Sequence, residues 1–94
     1  MPSTSYMLCR NRVLDFSRWK AVFASHAQAH RDAGLHLVRI WRTLDDPNNV
    51  FFLFEVGSLE KAGEFISNPD AVKAGESSGV IEGEYHFMED ADGY

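Results

Sequence analysis

Two kinds of hydrophobic period run along this chain, and they divide it into elements. Leu35–Leu44 and Val50–Val56 are apolar segments on either side of Asp45-Asp46-Pro47-Asn48-Asn49, the most turn-prone run in the sequence, and together they predict a β-hairpin. The second arm, VFFLFEV, is apolar on both alternating faces, which a strand tolerates only when each side of its sheet is covered. Between Phe16 and Ala33 the period is helical instead. Phe16, Trp19, Phe23, Ala27 and His30 fall in one stripe with His26 at its margin, Asp15 is placed to cap the start, and Gly34 to end it. Ser58 opens a second helix, SLEKAGEFIS, with Leu59, Ala62, Phe65 and Ile66 as its buried stripe, and Pro69 restarts a short helical turn. Ser5–Val13 and Val80–Glu89 alternate less cleanly and supply the first and last of four strands.

The order βαββαβ predicts an α+β, ferredoxin-like domain: a four-stranded antiparallel sheet with both helices on one face and the first and third strands central. One domain is expected over residues 1–94, ordered from about 5 to 89, with a flexible acidic tail over 90–94. A five-residue hairpin loop would set Leu44 opposite Val50, Arg39 opposite Glu55 and Trp41 opposite Leu53. That register sorts the hairpin into an apolar face, with Val50, Phe52, Phe54 and Val56, and a mixed face, with Arg39, Trp41, Leu53 and Glu55. The apolar face is assigned to a dimer partner, because it would be a large exposed patch on a monomer. The mixed face is assigned to the helices and a pocket.

Composition narrows the partners. A net charge of -5 argues against nucleic acid, whose binding needs clustered Lys and Arg, and equally against anionic membrane surfaces. Cys9 is the one cysteine, so no disulfide within the chain can form, and a structural zinc site built on several cysteines is excluded. Neither an export signal nor an apolar run of the ~20 residues that span a bilayer is present, and a cytoplasmic, soluble protein is expected.

Candidate chemistry centres on His26 and His30, one helical turn apart beside the aromatic walls of Trp19 and Phe23. Imidazoles move protons in either direction near neutral pH, so the pair is read as catalytic acid and base. Arg39 and Glu55, with Trp41 between them, could hold an anionic or carbonyl-bearing substrate, or could form a plain cross-strand ion pair. Tyr85 and His86 point to opposite faces of the last strand, so only one can line the pocket and parity does not say which; His86 is taken as the substrate-binding candidate. The spacing of His26 and His30 also suits a metal, but a third ligand would have to come from His86, Glu55 or His36, so no metal and no cofactor are assigned.

The helix DFSRWKAVFASHAQAHRDAG, the hairpin LVRIWRTLDDPNNVFFLFEV and the phrase SLEKAGEFISNPD, in βαββαβ order, resemble the dimeric α+β barrel superfamily. That group includes antibiotic-biosynthesis-type monooxygenases, small polyketide cyclases, muconolactone-isomerase-like proteins and haem-degrading enzymes. The resemblance implies two sheets packed face to face in a homodimer, helices outside, and a pocket between helices and sheet in each protomer. The Asn, Trp and His set of the haem-degrading branch and the His-rich pocket of the plant-type cyclases are not in register here. The expected function is a cofactor-independent pocket for a small aromatic or polyketide-like molecule, of monooxygenase, cyclase or isomerase type. The alternatives are a non-enzymatic small-molecule-binding or stress-related module and, third, a metal or haem binder.

Overall fold

A computed structural model describes residues 4–91 and Gly93. In chain order its elements are β1 (Ser5–Val13), α1 (Phe16–Ser25), α2 (Ala27–Asp32), β2 (Leu35–Arg42), β3 (Asn49–Val56), α3 (Leu59–Ser67), α4 (Pro69–Ser77) and β4 (Val80–Glu89). The expected caps form. Asp15 accepts a hydrogen bond from the Arg18 amide at 2.9 Å, and Ser58 accepts from that of Lys61 at 3.2 Å. Pro69 stands in the first turn of α4, which runs on to Ser77, longer than the short turn expected there. The flexible tail expected over 90–94 falls partly on Asp92 and Tyr94, which lie outside the described residues.

The long first helix expected over 16–33 is broken at His26. Ser25 Oγ donates to the Val22 carbonyl at 2.6 Å, and His26 Nδ1 lies 2.8 Å from the same oxygen. The His26 amide turns instead to Phe23 O at 3.1 Å, and the backbone at His26 has φ -100 and ψ 12. Two side chains thus compete for the carbonyl that would continue the helix.

The strands lie in the order β2-β3-β1-β4, all antiparallel, with β1 and β3 central as expected. The hairpin register differs from the one expected: Arg39 pairs with Leu53, Trp41 with Phe51 and Arg42 with Val50. The loop slides one residue toward the N-terminus, closed by the Thr43 amide donating to Asn49 O at 3.1 Å, and its polar groups bond among themselves. Thr43 Oγ1 donates to Asp46 O at 2.9 Å, and Asp46 Oδ1 accepts from the Asn48 amide at 2.9 Å. Asn48 Oδ1 also accepts from the Phe16 amide at 3.1 Å, which pins the loop to the start of α1. A slip by an even number of residues leaves the faces intact. An irregularity between Leu37 and Arg39 then moves Leu37 to the side of Phe54, while His36 sits opposite Glu55.

What changes is which cover each face receives. Val50, Phe52, Phe54 and Val56 are between 0% and 8% exposed and share one core with Trp19, Leu35 and Ala62, under the chain's own helices. The apolar face is therefore the helix-facing side, not a dimer surface. The physical reason is that the stripes of α1 and α3 remove most apolar area from water when they land on the most apolar sheet face. Arg42, the one charge that the hairpin residues 40, 42, 50, 52, 54 and 56 put on that face, lays its guanidinium over the Phe16 ring at 4.4 Å. The opposite face, uncovered in the protomer, carries Tyr6, Leu8 and Arg10 from β1, Arg39 and Trp41 from β2, Leu53 and Glu55 from β3, and Glu84, His86 and Met88 from β4.

Candidate functional site

Between the helices and the β1 and β4 side of the sheet lies a cavity of about 970 Å³. Strand alternation sends Met7, Cys9 and Asn11 into it from β1, and pairing of Cys9 with Tyr85 puts Tyr85 on the same side. Trp19, Phe23, His26 and His30 enter from α1, α2 and the break between them, Phe52 and Phe54 form the floor, and Phe65 comes from α3. Asp32, Glu64 and Asp70 lie around the cavity with Lys61 as the one lysine among its lining residues.

The aromatic walls are locked to each other. Phe23 stacks on Trp19 with centroids 4.7 Å apart and meets Phe52 edge-on at 5.2 Å. With the Asn11 amide oriented so that its oxygen faces the indole, Trp19 Nε1 donates to it at 3.2 Å, while Asn11 Nδ2 donates to Arg10 O at 3.0 Å. The buried indole thus keeps a partner, and Asn11 becomes a fixed polar point on an otherwise apolar wall.

The two histidines are unlike. His30 packs at 4.8 Å from Phe23, 5.2 Å from Phe54 and 5.5 Å from Phe65, centroid to centroid. Burial first, then the charges of His26 and Arg31, pulls its pKa from 6.5 down to about 4. At neutral pH it is an uncharged ring. His26 Nδ1 lies 2.8 Å from the Val22 carbonyl, a contact that Nδ1 makes as the donor because a carbonyl only accepts, so Nε2 is the ring nitrogen left without a protein partner among the described residues. Burial also pushes the Cys9 thiol up to about 12, which makes it a wall of the cavity and not a nucleophile.

Of the residues singled out in the sequence, Trp19, Phe23, His26 and His30 come together around this cavity. Arg39, Trp41, Glu55 and His86 do not. They stand on the uncovered sheet face, because the helices cover the other one. Arg39 and Glu55 are not cross-strand partners either, and His86 Nε2 is engaged by Glu84 at 2.9 Å, next to an Arg10 guanidinium that also holds Glu84 at 2.6 Å and Glu82. Asn11 and Phe65 were not singled out as site residues, and Tyr85 stood as the alternative to His86. The signal that could have found them is parity: Asn11 shares a strand face with Met7 and Cys9, and Tyr85 follows from the β1 to β4 register. Among the described residues no group of three or more His, Cys, Asp or Glu side chains is arranged to hold a metal ion, and His86 and Glu55 lie across the sheet from His26 and His30. No helix among the described residues is long and apolar enough to cross a membrane.

Comparison with solved structures finds the same architecture. A Bordetella bronchiseptica protein named for the antibiotic biosynthesis monooxygenases superposes with a TM-score of 0.76 at 13% identity, over 96% of this chain and 99% of its own. SnoaB from Streptomyces nogalater, described as a cofactor-independent oxygenase, gives 0.71 at 14% identity over 98% and 97%. A NIPSNAP family protein of unknown function from Agrobacterium tumefaciens gives 0.69 at 14% identity over 95% and 89%. Neither a protein-family model nor a curated protein matches the chain by sequence. Sheet order, helix placement and these superpositions agree that the chain has the ferredoxin-like fold that these solved structures share.

Proposed function

We propose that the helix–sheet cavity binds a small aromatic or polyketide-like molecule and that His26 is the proton acceptor in a reaction needing no cofactor. One observation carries this reading: His26 Nδ1 lies 2.8 Å from the Val22 carbonyl, which leaves Nε2 as the ring nitrogen available to a guest, beside a cavity walled by Trp19, Phe23 and Phe54. Stacked and edge-on rings suit a flat apolar guest, and Asn11 and Tyr85 supply the few polar points that would orient it. Removal of an acidic hydroxyl or activated C–H proton from such a guest leaves an electron-rich anion, from which cyclisation, isomerisation or reaction with dioxygen can proceed. SnoaB, of the same fold, is described as a cofactor-independent oxygenase. His30, uncharged at neutral pH, orients the guest in this reading and does not act as the general acid.

A second reading, a non-enzymatic binding protein, is supported by the way His30 is spent as an aromatic ring among Phe23, Phe54 and Phe65. One experiment separates the two. In a Trp41→Phe background Trp19 is the sole tryptophan, and its fluorescence reports cavity filling by 1,8-dihydroxyanthrone. The enzyme reading expects saturable quenching with turnover, and turnover lower by about 10²-fold in His26→Ala with binding kept. Binding without turnover in the parent protein supports the second reading. No binding removes both.

Homodimerisation belongs to the same proposal, now through the uncovered sheet face. Trp41 and Met88 are 43% and 41% exposed there, alongside Leu8 and Leu53, an apolar band that a second copy would bury. A cytoplasmic location completes the reading. The lone Cys9 thiol, with no second cysteine in the chain, fits a reducing compartment.

A further inference from the structure

Phe23 and His30 have a second side. Beyond them, along the edge strand β2, runs a groove of about 460 Å³, within the ~300–1,000 Å³ of small-molecule sites. Its apolar surface comes from Leu35, Leu37 and Ile40, and Leu37 is 46% exposed although it faces the helices. Lys20 from α1 and Arg31 from α2 also line it, with His36 on the strand, and no acidic side chain does. Among the described residues neither Lys20 nor Arg31 takes part in a salt bridge. Arg31 donates one hydrogen bond, from Nη2 to Gln28 Oε1 at 2.9 Å.

This arrangement is the reverse of its neighbour. The histidine-lined cavity is bordered by Asp32, Glu64 and Asp70, and the chain as a whole carries a net charge of -5. Two unpaired cations over an apolar surface, in a protein otherwise rich in acid, complement a molecule with an apolar body and one negative end. We propose that this groove on the β2 edge is a separate binding site for a small amphipathic carboxylate, its chain on Leu35, Leu37 and Ile40 and its carboxylate between Lys20 and Arg31. The site stands independently of any reaction in the neighbouring cavity.

Octanoate is the probe, titrated into the full chain and followed by amide chemical shifts. Saturable shifts at Lys20, Ala24, Arg31 and Leu37 are expected, with weaker binding at raised salt. A Lys20→Glu, Arg31→Glu double variant should bind about tenfold more weakly, since each exposed pair contributes modestly. Both side chains are exposed, and an unchanged amide spectrum of the free variant verifies that the fold is kept. A Lys20→Gln, Arg31→Gln variant should lose affinity in the same direction. Shifts confined to Asn11, Gly83 and Tyr85, an equal affinity for octan-1-ol, or no saturation before the solubility limit would each overturn the proposal.

Discussion

The imidazole of His30 meets the ring of Phe54 edge-on, centroids 5.2 Å apart and planes at 61°. Phe54 belongs to a central strand and is 2% exposed, so the contact ties α2 to the middle of the sheet and places a titratable ring where a charge is poorly solvated.

That contact predicts a pH dependence of stability with a definite sign. His30 has a pKa of about 4 in the folded protein against 6.5 for a free imidazole, so between these values the unfolded chain binds more protons. Its contribution is complete above pH 6.5 and is lost as pH falls toward 4. Discounted for the solvent that reaches the ring, the loss should be about 1–2 kcal/mol. Glu84, held down by His86 and Arg10, adds a loss of the same sign at low pH. Urea midpoints measured at intervals from pH 7 to 4 test this. In His30→Phe the decline between 6.5 and 4 should flatten while the part due to carboxylates stays.

Exchange of the two sheet faces gives a second test. Phe54→Ala removes a ring from a closed core and should cost about 3–5 kcal/mol, a large share of what a domain of this size has. Trp41→Ala, on the uncovered face, should change monomer unfolding by about 1 kcal/mol or less yet weaken self-association, read by sedimentation equilibrium. A large unfolding cost at Trp41 with intact association would contradict the face assignment.

Element types and sheet order were legible because they rest on local signals: the helical stripe around Trp19, the caps Asp15 and Ser58, and the apolar β3. The face assignment was not. Alternation says that two faces differ but not which one the helices take, and VFFLFEV has apolar residues on both. The pocket was half legible for the same reason. Residues on the helix, Trp19, Phe23, His26 and His30, were found from periodicity, whereas Arg39, Trp41, Glu55 and His86 depended on the face. The break at His26 depended on side-chain competition for one carbonyl, which no periodicity reveals.

Gly34 makes the join between α2 and β2 possible. Its φ is 73, a Cβ there would lie 3.4 Å from the Ser58 amide nitrogen, and its carbonyl accepts from the Gly57 amide at 2.8 Å. Gly34→Ala should therefore destabilise by about 1–2 kcal/mol. Gly63 in α3 has nothing within 4 Å of a built Cβ, so Gly63→Ala should stabilise by about 0.5–1 kcal/mol. Opposite shifts in thermal midpoint for two identical substitutions verify that backbone conformation, not residue type, sets the sign.

Cys9 offers a reporter of the cavity from inside. It is 6% exposed, lines the cavity floor beside Phe52, and its thiol is pushed up to about 12 by burial. At pH 8 the thiolate fraction is then about one part in 10⁴, far below that of a free cysteine. Reaction with a disulfide reagent should be slow in the native protein and fast in urea. A guest in the cavity should slow it further, because it blocks the reagent and removes the remaining water from the sulfur. Met7 shares that strand face, and a Met7→Ala variant should open the floor and speed the native reaction while leaving the rate in urea unchanged. A native rate equal to that in urea would mean that Cys9 is not shielded, and the cavity beside it would then have to be open to bulk solvent.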